Sequence, residues 1–145
     1  MLWWIVDGVL GALLGAGFLW LAHRAGRGED ALVALGLVVA AVLYPVMGIS
    51  VHALTEMPIE LTGMGAFTAL ALLGASRSPA WLVAGWGAHA VWDLALPAVA
   101  DTAYVPVWYA AACLGFDVAV ASGVALGIRG RVRRPDAGAP AQTTP

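Results

Sequence analysis

Seven ionisable side chains stand within or at the edge of otherwise apolar stretches: Asp7, His52, Glu56, Glu60, His89, Asp93 and Asp117. Imidazole and carboxyl groups exchange protons near neutral pH and also bind divalent metals. His52 and Glu56 are four residues apart, as are His89 and Asp93, so on a helix each pair shares one stripe. Trp86 joins the His89/Asp93 stripe and Trp92 adjoins it. Glu60, Met64 and Phe67 fall on one helical face, and Tyr109, Cys113, Phe116 and Asp117 on another. A pocket built from these stripes is acidic and aromatic, with two imidazoles.

Three chemistries fit such a pocket. In the first, it performs acid–base work on an apolar substrate, with Asp93 or Glu56 donating the proton and His89 and His52 as their partners. A carboxyl group removed from water keeps its proton more readily, as a general acid requires. Asp117 and Glu60 would stabilise developing positive charge, while Trp86, Trp92, Tyr109 and Phe116 would line the substrate pocket, with cation–π attraction from the rings. This chemistry needs no cofactor. In the second, His52, His89 and two or three carboxylates hold Zn²⁺ or Fe²⁺. In the third, the same groups relay a proton or cation in a transporter or a subunit of one. Against all three stands pairing for packing alone, the preferred account of His23 and Asp101. Cys113 reads as a small buried hydrophobe.

The elements that position these groups follow from composition. The chain of 145 residues is 61% hydrophobic and 11% charged, with a mean hydropathy of +0.86. One soluble core of this size cannot hide so much apolar surface. The net charge of −2 excludes the basic footprint of nucleic-acid binding. A single cysteine excludes an internal disulfide and cysteine-based zinc motifs. The apolar start Met1-Leu2-Trp3-Trp4 lacks the positive stretch of a signal peptide and reads as a membrane span.

Segments 2–22, 31–54, 58–75, 80–100 and 106–127 are each long and apolar enough for a transmembrane helix. The expected fold is therefore an all-α bundle of five transmembrane helices over residues 1–128. The tail 129–145, basic and then Pro/Ala/Thr-rich, is expected to be disordered. Tyr44-Pro45 is expected to kink the second span, and Ser78-Pro79 to cap the fourth. All seven basic residues are arginines, confined to the first loop, the third loop and the region after the last span. The positive-inside rule then puts the N-terminus outside and the C-terminus inside, and the expected location is the inner (plasma) membrane of the cell. Every intramembrane ionisable group falls in the middle or outer half, which predicts one outward-opening pocket. An isolated Asp at mid-membrane costs roughly 2.5–3.5 kcal/mol, so these groups must meet one another or water.

Gly8, Gly11 and Gly15 predict close backbone packing of the first span. Gly48 to Glu56 and Gly85 to Asp93 both read G-x-x-x-H-A-[LV]-x-[ED], consistent with a parallel repeat of helices 2–3 and 4–5. A transporter of five spans would need to oligomerise. For an enzyme, the implied partners are the bilayer and an apolar small molecule.

His89-Ala90-Val91-Trp92-Asp93, followed by Trp108-Tyr109 and Cys113-x-x-Phe116-Asp117, resembles a group of small bacterial integral membrane proteins of unknown function with H-x-x-W-D and W-Y-x3-C-x2-F-D signatures. That resemblance covers spans four and five and implies that His89, Asp93 and Asp117 act together. In that group a His often follows the W-D pair; here Leu94 to Pro97 contain none. His52-x-x-x-Glu56 is similar to a turn of the emopamil-binding, sterol-isomerase superfamily. Glu56-Met57-Pro58-Ile59-Glu60 resembles the Pro/Glu turn of small membrane carotenoid cyclases. Both likenesses imply proton-initiated isoprenoid chemistry, and both are analogies of pattern.

Overall fold

The structure, a computed structural model, describes residues 2–52 and 54–132. It is all-helical there: α1 (Leu2–Arg24), α2 (Glu29–Ser50), α3 (Met57–Ser76), α4 (Ala80–Val99) and α5 (Val107–Val132). Each of the five is long and apolar enough to cross a membrane. Much of the outer surface is apolar, including Leu13 at 64% and Leu72 at 64% exposure. Water penalises such a surface and hydrocarbon does not.

Each break between helices has a local cause. After α1, Gly26 takes φ 58°, a conformation that costs glycine little, and one 3₁₀ turn leads into α2. Glu29 and Asp30 then occupy the first turn of α2, where the helix dipole favours negative charge. His23 Nδ1 lies 3.2 Å from Glu29 Oε2 across this junction. Before α4, the N-cap is Pro79 and not the expected Ser78, although Ser78 Oγ accepts the Ala80 N–H at 3.3 Å. Between α4 and α5, Asp101 Oδ1 accepts the Ala103 N–H at 3.0 Å and closes a tight turn.

The second junction departs from expectation. α2 was expected to run to residue 54 but ends at Ser50, and His52 adopts φ 60° in the turn that follows. A 3₁₀ turn, Leu54–Glu56, then leads into α3, with Pro58 in its first turn, where a missing N–H costs nothing. His52 and Glu56 therefore share no helical stripe. The copy of the motif around His89 remains helical throughout, so the two copies of the G-x-x-x-H pattern adopt different conformations. α5 continues to Val132, past the expected end of the span, and Ile128 still packs against the core. The segment 133–145, expected to be disordered, lies outside the described residues.

The helices form an open ring. The largest contact is between α1 and α5; α5 then packs on α4, α4 on α3 and α3 on α2, while α1–α2 and α2–α4 touch only slightly. Small residues explain the tightest seam. A Cβ on Gly11 would land on the Ala112 backbone, and one on Gly115 would land on the Gly8 carbonyl. Only glycine allows that approach, and among helices in lipid such packing replaces the hydrophobic driving force. At the centre, Val33, Leu37, Phe67, Leu82, Trp86 and Val120 fill the space between helices. The buried positions of α4 are Leu82, Gly85, Trp86, His89, Ala90, Asp93 and Leu96. Their three- and four-residue spacing turns one stripe of α4, polar groups included, toward the interior.

Candidate functional site

On that stripe His89 is 1% and Asp93 4% exposed, and from α5 Asp117, 1% exposed, completes the group. His89 Nδ1 and Asp117 Oδ2 are 2.7 Å apart and hydrogen-bonded. With Asp117 ionised, the imidazole N–H donates and the carboxylate accepts. Asp93 Oδ1 lies 3.8 Å from the same nitrogen, beyond hydrogen-bonding distance. Neither oxygen of Asp93 has a hydrogen-bond partner among the described residues. Three polar side chains thus converge where the surroundings are otherwise apolar.

Aromatic rings wall the group. Phe67 of α3 stands edge-on to the His89 imidazole at 4.8 Å, and Tyr44 of α2 at 6.5 Å. Tyr44 in turn meets Tyr109 of α5 at 5.9 Å, nearly perpendicular. One helical turn toward the core, Trp86 packs against Phe18 and Phe116, and its Nε1–H donates to the Val33 carbonyl at 3.3 Å. That bond satisfies a buried donor and fixes the indole.

Two cavities reach the group from different sides. The first, about 480 Å³, is bounded by Tyr44, Asp93 and Pro97 and by the 100–107 segment with Asp101 and Thr102. The second, about 540 Å³, is an apolar groove between α2 and the α1–α5 pair, its wall including Phe18, Gly36, Val39, Trp86, Tyr109 and Asp117. Tyr44 borders the first cavity and Tyr109 the second, so the two rings in contact stand between them.

Of the residues predicted for the site, His89, Asp93 and Asp117 are brought together. Glu60 is buried at 2% exposure near the outer edge of the group and accepts a hydrogen bond from the Tyr104 hydroxyl. His52 is exposed in the turn after α2 and does not join them. Glu56 lies in the following 3₁₀ turn, and its side chain is outside the described part. Trp86, Tyr109 and Phe116 line the apolar groove, and not the cavity that Asp93 borders, where one shared pocket was expected. Trp92 lines neither: its indole turns toward α3, covering Gly63 and meeting Phe67 at 5.8 Å. A zinc or iron site built on both His52 and His89 has no support in this arrangement.

Tyr44 and Tyr104 were not among the expected site residues. Tyr44 was legible, because Leu37, Ala41, Tyr44 and Gly48 follow helical spacing along the buried face of α2. For Tyr104, in a short loop before Pro106, no periodicity exists to place it. Among proteins already characterised, no family model, no curated protein and no solved structure matches this chain.

Proposed function

We propose that the protein is a multi-pass enzyme of the plasma membrane that carries out acid–base chemistry on an apolar substrate, an isomerisation or cyclisation of an isoprenoid or lipid. The observation that supports this most directly is the two-sided access to one buried cluster. Asp93 borders a cavity at the loop end of the bundle that Asp101 and Thr102 also line, and Asp117 borders an apolar groove of about 540 Å³ open along its side. A water-reaching cavity supplies and removes protons, and a hydrocarbon-lined groove holds a chain-like molecule. His89 lies between the two carboxylates and links them electrostatically. Aromatic rings of Phe67 and Tyr44 stand against His89, and Tyr109 packs on Tyr44, so a developing cation would have π-systems nearby. The resemblance of the His89–Asp93 and Trp108–Asp117 stretches to small bacterial membrane proteins points to the same three residues.

In this reading the N-terminus and the α4–α5 loop face outward, and the arginine-bearing α1–α2 and α3–α4 loops face the cytoplasm. The cavity at Asp93 then opens to the outside. A helix 2–3/4–5 duplication remains compatible with two antiparallel pairs, α2–α3 and α4–α5, although its two motif copies differ in conformation.

A cation- or proton-coupled transporter is the second reading, favoured by the cavity that reaches Asp93. Transport also requires a route to the opposite face, and there Leu37, Leu82 and Val120 are packed with no exposure at all. The catalytic reading needs no such route.

The test is comparative lipid extraction from cells producing wild type or Asp93→Asn at matched levels in the membrane. An isoprenoid or lipid species altered by wild type alone is the expected result. Equal lipid profiles in a host shown to contain isoprenoid and acyl lipids of all major classes, with both proteins folded, would turn the assignment toward transport.

A further inference from the structure

The buried side-chain atoms without a hydrogen-bond partner among the described residues are the Tyr109 hydroxyl and both oxygens of Asp93. The Asp93 side chain is buried to within 1% of full enclosure. A carboxylate in that setting is costly unless something positive meets it. The imidazole of His89 only partly fills the role. Its Nδ1 is committed to Asp117 at 2.7 Å and stands 3.8 Å from Asp93. Even a protonated His89 would leave two carboxylates facing one positive charge.

A divalent cation balances that charge in full. His89, Asp93 and Asp117 each offer a ligand atom, and these atoms lie within 4.8 Å of one another. Zinc bonds to imidazole nitrogen and carboxylate oxygen at about 2.0–2.2 Å, so two ligands on one tetrahedral ion sit roughly 3.3–3.6 Å apart. The Asp93–His89 separation of 3.8 Å is near that spacing. The His89–Asp117 contact of 2.7 Å would open by less than an ångström on binding. The ligands come from two helices that pack closely on each other, α4 and α5, so the set is held by the bundle and not by a loop. An entry path exists as well: the cavity of about 480 Å³ leads past Asp101 and Thr102 to Asp93, an acidic route suited to a cation.

We propose that His89, Asp93 and Asp117 form a binding site for one divalent transition-metal ion, best matched by Zn²⁺. Three protein ligands leave a fourth coordination position free, the pattern of catalytic and not structural zinc sites. Asp117 belongs to the wall of the apolar groove, so a molecule lying in the groove would pass beside the ion. The inference rests on the reading of this cluster as the reactive centre, and it replaces a carboxyl proton donor with a metal-bound water, whose acidity zinc raises. His52 and His23, exposed and remote from the cluster, take no part.

The full chain, purified in detergent and stripped with a chelator, is titrated with Zn²⁺ alone, and retained metal is measured after desalting. The expected result is one zinc per chain for wild type and for His52→Ala. Asp93→Asn and Asp117→Asn should each weaken binding by at least about 100-fold, since loss of even an outer-shell partner costs 10–100-fold. Zinc well below one per chain, or zinc unaffected by Asp93→Asn, overturns the site. Should either variant fail to fold, Co²⁺ added to stripped wild type decides the matter. Four-coordinate visible bands that Zn²⁺ displaces support the site, and their absence overturns it. The two proposals also fail separately. Asp93-dependent lipid conversion by protein shown to be metal-free leaves the acid–base reading standing and removes the metal. Stoichiometric zinc without any lipid change does the reverse.

Discussion

His89 on α4 and Asp117 on α5 meet at 2.7 Å with both side chains almost fully enclosed, so one hydrogen bond ties two helices at the centre of the bundle. Polar links between helices in lipid contribute about 1–2 kcal/mol at most, because the separated helices also find partners. Asp117→Ala should therefore lower unfolding stability in detergent by about 1–2 kcal/mol. Asp117→Asn should retain most of it, since an amide oxygen still accepts from Nδ1. Equal stabilities for Ala and wild type would mean that the pair is not structural and that its burial is borne for chemistry alone.

The α1–α5 seam makes a second, sharper prediction. A Cβ at Gly115 would overlap the Gly8 carbonyl, whereas Gly65 on α3 has nothing within 4 Å of its Cβ position. Gly115→Leu should cost at least about 1–3 kcal/mol by overpacking, and α1 should separate from α5. Gly65→Ala should be neutral or should stabilise by up to about 1 kcal/mol through helix propensity. Thermal unfolding of the two variants in the same detergent checks the contrast. A Gly115→Leu protein as stable as wild type would contradict the close approach.

How far the sequence reaches can be judged residue by residue. Five helices were legible because each span carries its own apolar run, and burial of that run in lipid needs no knowledge of neighbours. His89, Asp93 and Asp117 were legible as a set, because an ionisable group at mid-membrane must face the interior. His52 was misplaced for a physical reason. Ser50-Val51-His52-Ala53-Leu54 contains no glycine or proline to end a helix, and the chain turns there because α3 must start at Met57 beside the end of α2. Trp92 adjoins the polar stripe in sequence, yet the space opposite Gly63 draws its indole away from the cluster. Nor could glycine spacing reveal which helix α1 packs on. A small-residue face announces close approach, but it carries no address.

The orientation proposed from arginine placement is open to direct labelling. Ala25, in the turn after α1, and Ala103, in the loop before α5, are both exposed. In a Cys113→Ala background, Ala103→Cys in intact cells should react with a membrane-impermeant thiol reagent. Ala25→Cys should react only after the membrane is permeabilised. The opposite pattern would invert the protein, and the cavity at Asp93 would then face the cytoplasm.

The apolar groove separates a catalytic role from mere structure. Val39 stands on its lip at 52% exposure, so a larger side chain there meets no packed neighbour and should leave the fold intact. Val39→Trp would nonetheless project an indole across the opening that leads toward Asp117. If the groove admits an apolar chain, this variant should fold, retain the stability of wild type and lose most lipid conversion. The loop-end cavity is untouched by that change, because Val39 is not among the residues that bound it. Any metal or proton reaching Asp93 from the loop end would still arrive. A Val39→Trp protein with full activity would mean that the groove does not admit the substrate, which would then enter past Asp101 and Thr102.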